Sequence, residues 1–432
     1  MTTPPSPHRP LTRRRFVGAT LAAGLGLGAL GARALAQTPA PASAASRPAG
    51  PVRLRGIAWN HSRGFTPMVA TGQRYGELHP DVEIVWEKRS LQAFADAPIH
   101  KLAETFDLLV IDHPFAGFAA QDRSVLDLNV HARPGLLADH AAHSAGPSHA
   151  SYEFDGYRCA LAIDGATPSS GWREDILAAH GQRPPQTWEE LLELARGGFV
   201  AIAGIPVDCL MNFFMFCNAQ GEEPCATRER IVGADAGIAA LEMHRELTRL
   251  LPDDTWKRNP IRVWDALGHS TGRLAYCPFA YSYSNYARAG YAPHALRFGD
   301  LPQYRGRRLR PTLGGTGIAV SAHSPHRDLA LDYAQFVASG ECQRTLYFDN
   351  GGQPAHRGAW TDAEVNRRAN NFFRDTLPAM DNSWTRPRYF GYMHLQDHGG
   401  DVVRDYLTGQ HTAKAALDRL NEIYLHSLKL HA

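Results

Sequence analysis

The chain has 432 residues, 44% of them hydrophobic, with 45 lysines and arginines against 43 aspartates and glutamates. The basic residues are scattered instead of clustered, which argues against nucleic acid or a membrane surface as the main partner. A chain of this length exceeds what one hydrophobic core usually serves, so two domains or lobes are expected.

Thr12-Arg13-Arg14-Arg15-Phe16-Val17 leads into an Ala/Gly/Leu run that ends Ala34-Leu35-Ala36 before Gln37. Paired arginines, a mildly apolar stretch and a small-x-small cleavage site read as a twin-arginine export signal over residues 1–36, an address that is removed. The apolar run from Val17 to Leu30 is too short and too rich in glycine for a transmembrane span. No cysteine follows the cleavage site to accept a lipid, so the expected product is a soluble protein of a bacterial periplasm. Loss of this segment leaves 40 basic residues against 43 acidic ones. Residues 37–50, almost all Pro, Ala, Ser and Thr, cannot bury a core and read as an extended tether.

The folded body starts near Val52. Arg53 to Trp59 has the apolar beat of a strand, and Thr66-Pro67 supplies an N-cap and first-turn proline for a helix with Met68, Tyr75 and Leu78 on one face, ending at His79-Pro80. Val82 to Trp86 and Asp107 to Ile111 read as the next two strands. This alternation predicts a largely parallel sheet covered by helices, in which ligands sit beyond the carboxyl ends of the strands. Two polar loops occupy that place: Trp59-Asn60-His61-Ser62-Arg63-Gly64 after the first strand, and Asp112-His113-Pro114 after the third. Further on, Thr187-Trp188-Glu189-Glu190 is a capping box, and Ser324-Pro325 opens a helix with Leu329, Tyr333, Phe336 and Val337 on its core face, closed by Gly340.

Six cysteines, at 159, 209, 217, 225, 277 and 342, include no Cys-x-x-Cys. Cys217 and Cys225 are spaced to close a small loop, but pairing cannot be read from spacing. Twin-arginine substrates fold before export, so the fold cannot depend on disulfides. No cofactor is implied.

The order of segments resembles the extracellular solute-binding proteins of ABC importers, particularly the carbohydrate-binding group that includes maltose-binding protein. The resemblance runs from Leu54–Trp86 and Asp107–Asp112 through Tyr152–Ile163 and Pro185-Gln-Thr-Trp-Glu-Glu-Leu191. It continues with Gly272-Arg-Leu-Ala-Tyr-Cys-Pro-Phe-Ala-Tyr281, Gly314-Gly-Thr-Gly-Ile-Ala-Val-Ser321, Gly351-Gly-Gln-Pro354 and the helix beginning Thr412-Ala-Lys. Two positions depart from the family pattern: Ile163 where a proline is usual, and Trp172-Arg173 where Tyr-Asn is usual.

The resemblance implies an α/β fold of two lobes, the type II periplasmic-binding-protein fold, each lobe a mainly parallel sheet flanked by helices and joined to the other by hinge strands. Residues 51–162 and 279–338 would form lobe 1, and residues 163–278 and 339–432 lobe 2. Function would be capture of a carbohydrate or sugar-like solute between the lobes, by a monomer that delivers it to a membrane permease and does no covalent chemistry. Phe279 stands where the family has a stacking aromatic, and Tyr281 and Tyr283 extend its loop. Trp59, Asn60, His61, Asp112 and His113 would line lobe 1, Asn212 and Tyr389 lobe 2, with Gly315 and Thr316 offering backbone and hydroxyl contacts. Arg63 in the cleft would favour a sugar acid or phosphate.

Two other classes compete. Gly268-His269-Ser270-Thr271-Gly272 fits a serine-hydrolase elbow, but that elbow needs a strand before the serine and a helix after it, and here the expected order is inverted. A ferric or metal-binding protein would draw on Tyr281, Tyr283, Tyr286 and the histidines, yet His140-Ala-Ala-His143 reads as a pair of surface residues, and no zinc-type spacing is present.

Overall fold

The computed structural model describes residues 50–90 and 99–430. The export signal and the tether up to residue 49 lie outside the described residues. In chain order the principal elements are β1 (Val52–Trp59), α1 (Ser62–Leu78), β2 (Val82–Arg89), β3 (Leu108–Ile111), α2 (Pro134–Ala142), β4 (Leu161–Ala166) and β5 (Pro168–Trp172). They continue with α3 (Trp188–Arg196), α4 (Pro206–Ala219), α5 (Ala234–Thr248), α6 (Pro260–Gly268), β6 (Tyr276–Tyr281), β7 (Arg297–Gly299), β8 (Gly314–Val320), α7 (Arg327–Ala338), α8 (Tyr392–Leu407) and α9 (Ala413–Ser427).

The first sheet has the order β2-β1-β3-β8-β4. Its first three strands pair in parallel, with Val52 opposite Val82 and Gly56 opposite Leu108. Strand β3, Leu-Leu-Val-Ile, is buried along its whole length, as a continuous apolar run covered on both faces requires. Strand β8 enters between β3 and β4 antiparallel to both. The second sheet, β6-β5-β7, is antiparallel throughout. Its parallel component is the segment Phe199–Ala201, which exchanges backbone hydrogen bonds with Tyr276 at 2.9 Å. The mainly parallel pattern therefore holds over β2, β1 and β3 and gives way elsewhere. The chain passes from β4 in the first sheet to β5 in the second through Thr167 alone. The proline in β6, Pro278, falls at the register irregularity between β5 and β6, where a missing N–H is tolerated.

Local signals explain most helix ends. At α3, Thr187 Oγ1 accepts from Glu190 N–H at 3.2 Å and Glu190 Oε2 accepts from Gln186 N–H at 2.6 Å, the reciprocal bonds of a capping box. Helix α1 begins earlier than the Thr66-Pro67 signal suggests. His61 is its N-cap, with Nδ1 accepting from Arg63 N–H at 3.0 Å, and Pro67 lies inside the helix. Met68 and Tyr75 are buried as expected, but Leu78 is 49% exposed. Ser324 makes a turn, accepting from His326 N–H at 3.1 Å, and α7 starts three residues later with Tyr333 and Val337 fully buried.

One apolar cluster holds α1 and α7 against a face of the first sheet through Leu54, Met68, Trp86, Val110, Ile163, Ile318, Tyr333 and Val337. Another unites α3, α4, α5, α8 and α9, and a third surrounds Trp264, Phe298 and Phe372 beside the second sheet. Helix α4 is buried continuously from Asp208 to Cys217, so it is the central helix of the second cluster and not a surface amphipath. All six cysteines are free, five of them buried, and no bridge joins Cys217 to Cys225.

Candidate functional site

A cavity of about 510 Å³ lies where the two sheets meet. Three features of the backbone bring its wall together. Strand β1 ends at Trp59, whose ring packs on the Gly64 backbone in the first turn of α1, leaving no room for a larger residue at 64. Strand β6 ends at Tyr281, whose hydroxyl meets Thr312 Oγ1 at 2.9 Å and whose ring lies against Gly314. Strand β8 carries a register irregularity between Thr316 and Gly317, preceded by Gly315 at φ +102°, where a Cβ would collide with the Asp164 carbonyl. A bulge of this kind turns a side chain out of the ladder, and Thr316 faces the cavity.

Seven of the expected site residues line this cavity: Trp59, Arg63, Asp112, Tyr281, Tyr283, Gly315 and Thr316. The other six do not. Asn60 is exposed and its N–H bonds to Arg89 O at 2.7 Å. His61 is spent on the α1 cap, and burial, with help from Arg63, lowers its pKa to about 4. His113 is fully buried behind Asp112, edge-on to Tyr152. Asn212 is buried on α4, one residue beyond the lining Met211. Phe279 lies deeper along β6 and packs edge-on against Phe216 in the helical core. Tyr389 bonds through its hydroxyl to Ser427 Oγ at 2.7 Å, against α9.

The rest of the wall was not anticipated from sequence: Asp208 and Met211 on α4, Asn259 and Pro260 at the start of α6, Arg386, and Gln396, Asp397 and Asp401 on α8. One of these had a signal. Asp208 is the lone charge in the stretch from Pro206 to Cys217, whose other polar side chain is Asn212, and a charge interrupting a buried helix marks a special position.

The charges of the wall are arranged in pairs. Arg63 Nε donates to Asp164 Oδ2 at 2.8 Å, Nη2 donates to the other oxygen of Asp164, and Nη1 donates to Ser282 O at 2.8 Å. Burial opposes this charge, but Asp164 and the Tyr283 ring, 4.5 Å from the guanidinium, keep Arg63 firmly protonated. Arg386 Nη2 donates to both oxygens of Asp112 at 2.8 and 2.7 Å, Nη1 to Gln396 Oε1 at 3.0 Å, and Nε to Leu313 O at 3.1 Å. Burial alone would raise the Asp112 carboxyl; Arg386 and His113 outweigh it and hold it down at about 2.

Two polar atoms of the wall have no partner among the described residues: Asp208 Oδ2 and Thr316 Oγ1. Their residues are 6% and 4% exposed, and both line the cavity. Burial without an opposite charge pushes the Asp208 carboxyl up to about 8. Buried polar groups in native proteins are normally satisfied, which sets these two atoms apart from the rest of the wall.

The competing motifs fall apart in three dimensions. Gly268 ends α6 and the strand β6 begins only at Tyr276, so Ser270 sits in a helix-to-strand loop, the reverse of a nucleophile elbow. Tyr286 donates to Asp265 Oδ1 at 2.6 Å, and burial pushes the Tyr283 phenol up to about 12. His140 is buried, with Nε2 2.7 Å from Ala338 O.

The chain belongs to the bacterial extracellular solute-binding proteins, whose family model matches residues 70–373. Among solved structures it is similar to maltose-bound MalE3 of T. maritima, at 18% identity and a TM-score of 0.75, covering 87% of this chain and 99% of that one. A solute-binding protein of an ABC transporter from Agrobacterium radiobacter, in complex with ribitol, superposes at 0.73 with 17% identity, covering 89% and 100%. The GacH receptor of Streptomyces glaucescens gives 0.71 at 15%, covering 88% and 99%. These likenesses are of fold, a two-lobed α/β architecture. No helix of the described residues is long and apolar enough to cross a membrane.

Proposed function

We propose that the cavity is the solute site of an ABC importer's binding protein, taking a carbohydrate or polyol and handing it to a membrane permease. The observation that carries this reading is the pair of unsatisfied atoms on opposite walls, Thr316 Oγ1 on β8 of the first sheet and Asp208 Oδ2 on α4 beside the second. A solute that satisfies both holds the two halves together, and closure follows as a population shift toward the state with more contacts. The cavity volume suits one or two sugar rings. Trp59, Tyr281 and Tyr283 supply aromatic surface for the C–H faces of such a solute, with Asn259, Gln396 and Thr316 for its hydroxyls. Maltose and ribitol in the related structures are in keeping with this.

Both wall arginines are consumed by their own carboxylates, so the case for a sugar acid that rested on Arg63 loses its support. We place the lobe boundaries at the strand crossings, near 167, 313 and 356, in preference to 162, 278 and 338, because β6 pairs with β5 in the second sheet and Tyr347 packs in the first core. Export through the twin-arginine signal to the periplasm, as a monomer, completes the reading. The test is a thermal-shift screen of residues 37–432, refolded free of ligand, against sugars and polyols. A specific ligand at a hundred times its dissociation constant adds about 2.7 kcal/mol of stability. Silence across the panel, with Trp59→Ala equally silent, would sink the assignment.

A further inference from the structure

We infer that the solute carries an amino group, held as an ammonium against Asp208. This rests on the binding-protein reading and narrows its substrate class. Asp208 is nine-tenths buried and lines the cavity, and its Oδ2 has no partner within the described residues. Every other charge facing that space is already engaged. Arg63 is closed by Asp164, Arg386 by Asp112, and Asp401 by Arg404 at 3.2 Å, while Asp397 has contacts of its own. Arg258, beside the lining Asn259, bonds to Asp254 at 2.5 Å. The phenols of Tyr281 and Tyr283 stay protonated because burial raises both. With each arginine cancelled by its own carboxylate, what the wall offers an incoming group is acidic: Asp208, with Asp397 and Asp401 on α8 packed beside it.

A carboxylate or phosphate on the solute would find each wall arginine already closed by its own carboxylate. A hydroxyl would leave the carboxyl only half used. An ammonium supplies the opposite charge and a donor together. Asp208 stands in the first turn of α4, where the positive helix end favours its ionised form; that partial charge is only about half a unit, so a whole carboxylate still attracts a cation. Ammonium binding needs the carboxylate, and the empty site holds it protonated around neutral pH. Binding therefore releases a proton, and affinity rises between pH 6 and pH 8.

The experiment titrates the mature chain with matched pairs: glucosamine and glucose, galactosamine and galactose, 1-amino-1-deoxysorbitol and sorbitol. Calorimetry is run in two buffers of different ionisation enthalpy. The expected result is a preference for an amine over its hydroxyl partner of roughly ten- to hundredfold, with net proton release, and loss of both the preference and the proton release in Asp208→Asn. Equal binding within each pair, or tighter binding of the neutral member, overturns the inference and leaves the solute-binding reading standing. No binding by any member overturns both. A preference that survives in Asp208→Asn places the amine elsewhere and overturns the assignment to Asp208. Removing an unpaired buried acid favours the fold, so the variant is available for the measurement.

Discussion

Because burial pushes the Asp208 carboxyl up to about 8, the unfolded chain gives up this proton, near pH 4, well before the folded protein does. Between those values the folded state binds the extra proton, so this group's contribution to stability is present below about pH 4 and is lost as pH rises to about 8. Asp208→Asn is therefore expected to raise Tm by almost nothing at pH 4 and by its full amount above pH 8. Thermal unfolding of both proteins across that range checks it, and a difference independent of pH would mean that the carboxyl is already ionised in the fold. Arg63 presents the opposite case, a buried charge with its partner in place. Arg63→Ala strands Asp164 and should cost about 3–5 kcal/mol in urea unfolding, whereas Arg63→Met with Asp164→Leu should cost far less. Equal losses would assign the effect to packing instead of charge.

At the level of elements, the site depends on β8 as a bulged strand. Gly315 takes φ +102° with the Asp164 carbonyl against its Cα, a conformation that costs other residues about 1–3 kcal/mol. Gly315→Ala should lose that much stability and also weaken ligand binding, since it shifts Thr316. Gly272, with open space around it and an ordinary φ, serves as the control: Gly272→Ala should change stability by less than about 0.5 kcal/mol. Denaturant titration of the pair separates backbone strain from a general cost of removing glycine. The N-terminus of α1 shows how an element changes a residue's job: because His61 caps the helix, its ring nitrogen faces the backbone and not the cavity.

Over the whole molecule, the two sheets are joined by short strand crossings at Thr167 and at Thr312–Gly314, tied by Thr167 Oγ1 donating to Thr312 O at 3.1 Å. The halves each have their own core, an arrangement suited to hinge closure on a ligand. The six free cysteines add no cross-link. Tm should be the same with and without reductant, and a thiol reagent should leave the five buried cysteines untouched until the protein unfolds. A fall in Tm on reduction would reveal a bridge.

Pattern alone carried the three parallel strands, the loops beyond β1 and β3 and the α3 capping box, because each depends on residues close in sequence. Three wall residues, Trp59, Arg63 and Asp112, followed from those loops, and four more, Tyr281, Tyr283, Gly315 and Thr316, from the family resemblance. What only the tertiary structure decided is how distant segments cancel or leave each other's charge. Arg63 meets Asp164 across 101 positions and Asp112 meets Arg386 across 274, and no local period encodes such pairings. The antiparallel second sheet and the meeting of Asp208 and Thr316 in one cavity wall likewise arise from the chain crossing three times between two cores, so the family was legible in order and spacing while the character of the cavity was not.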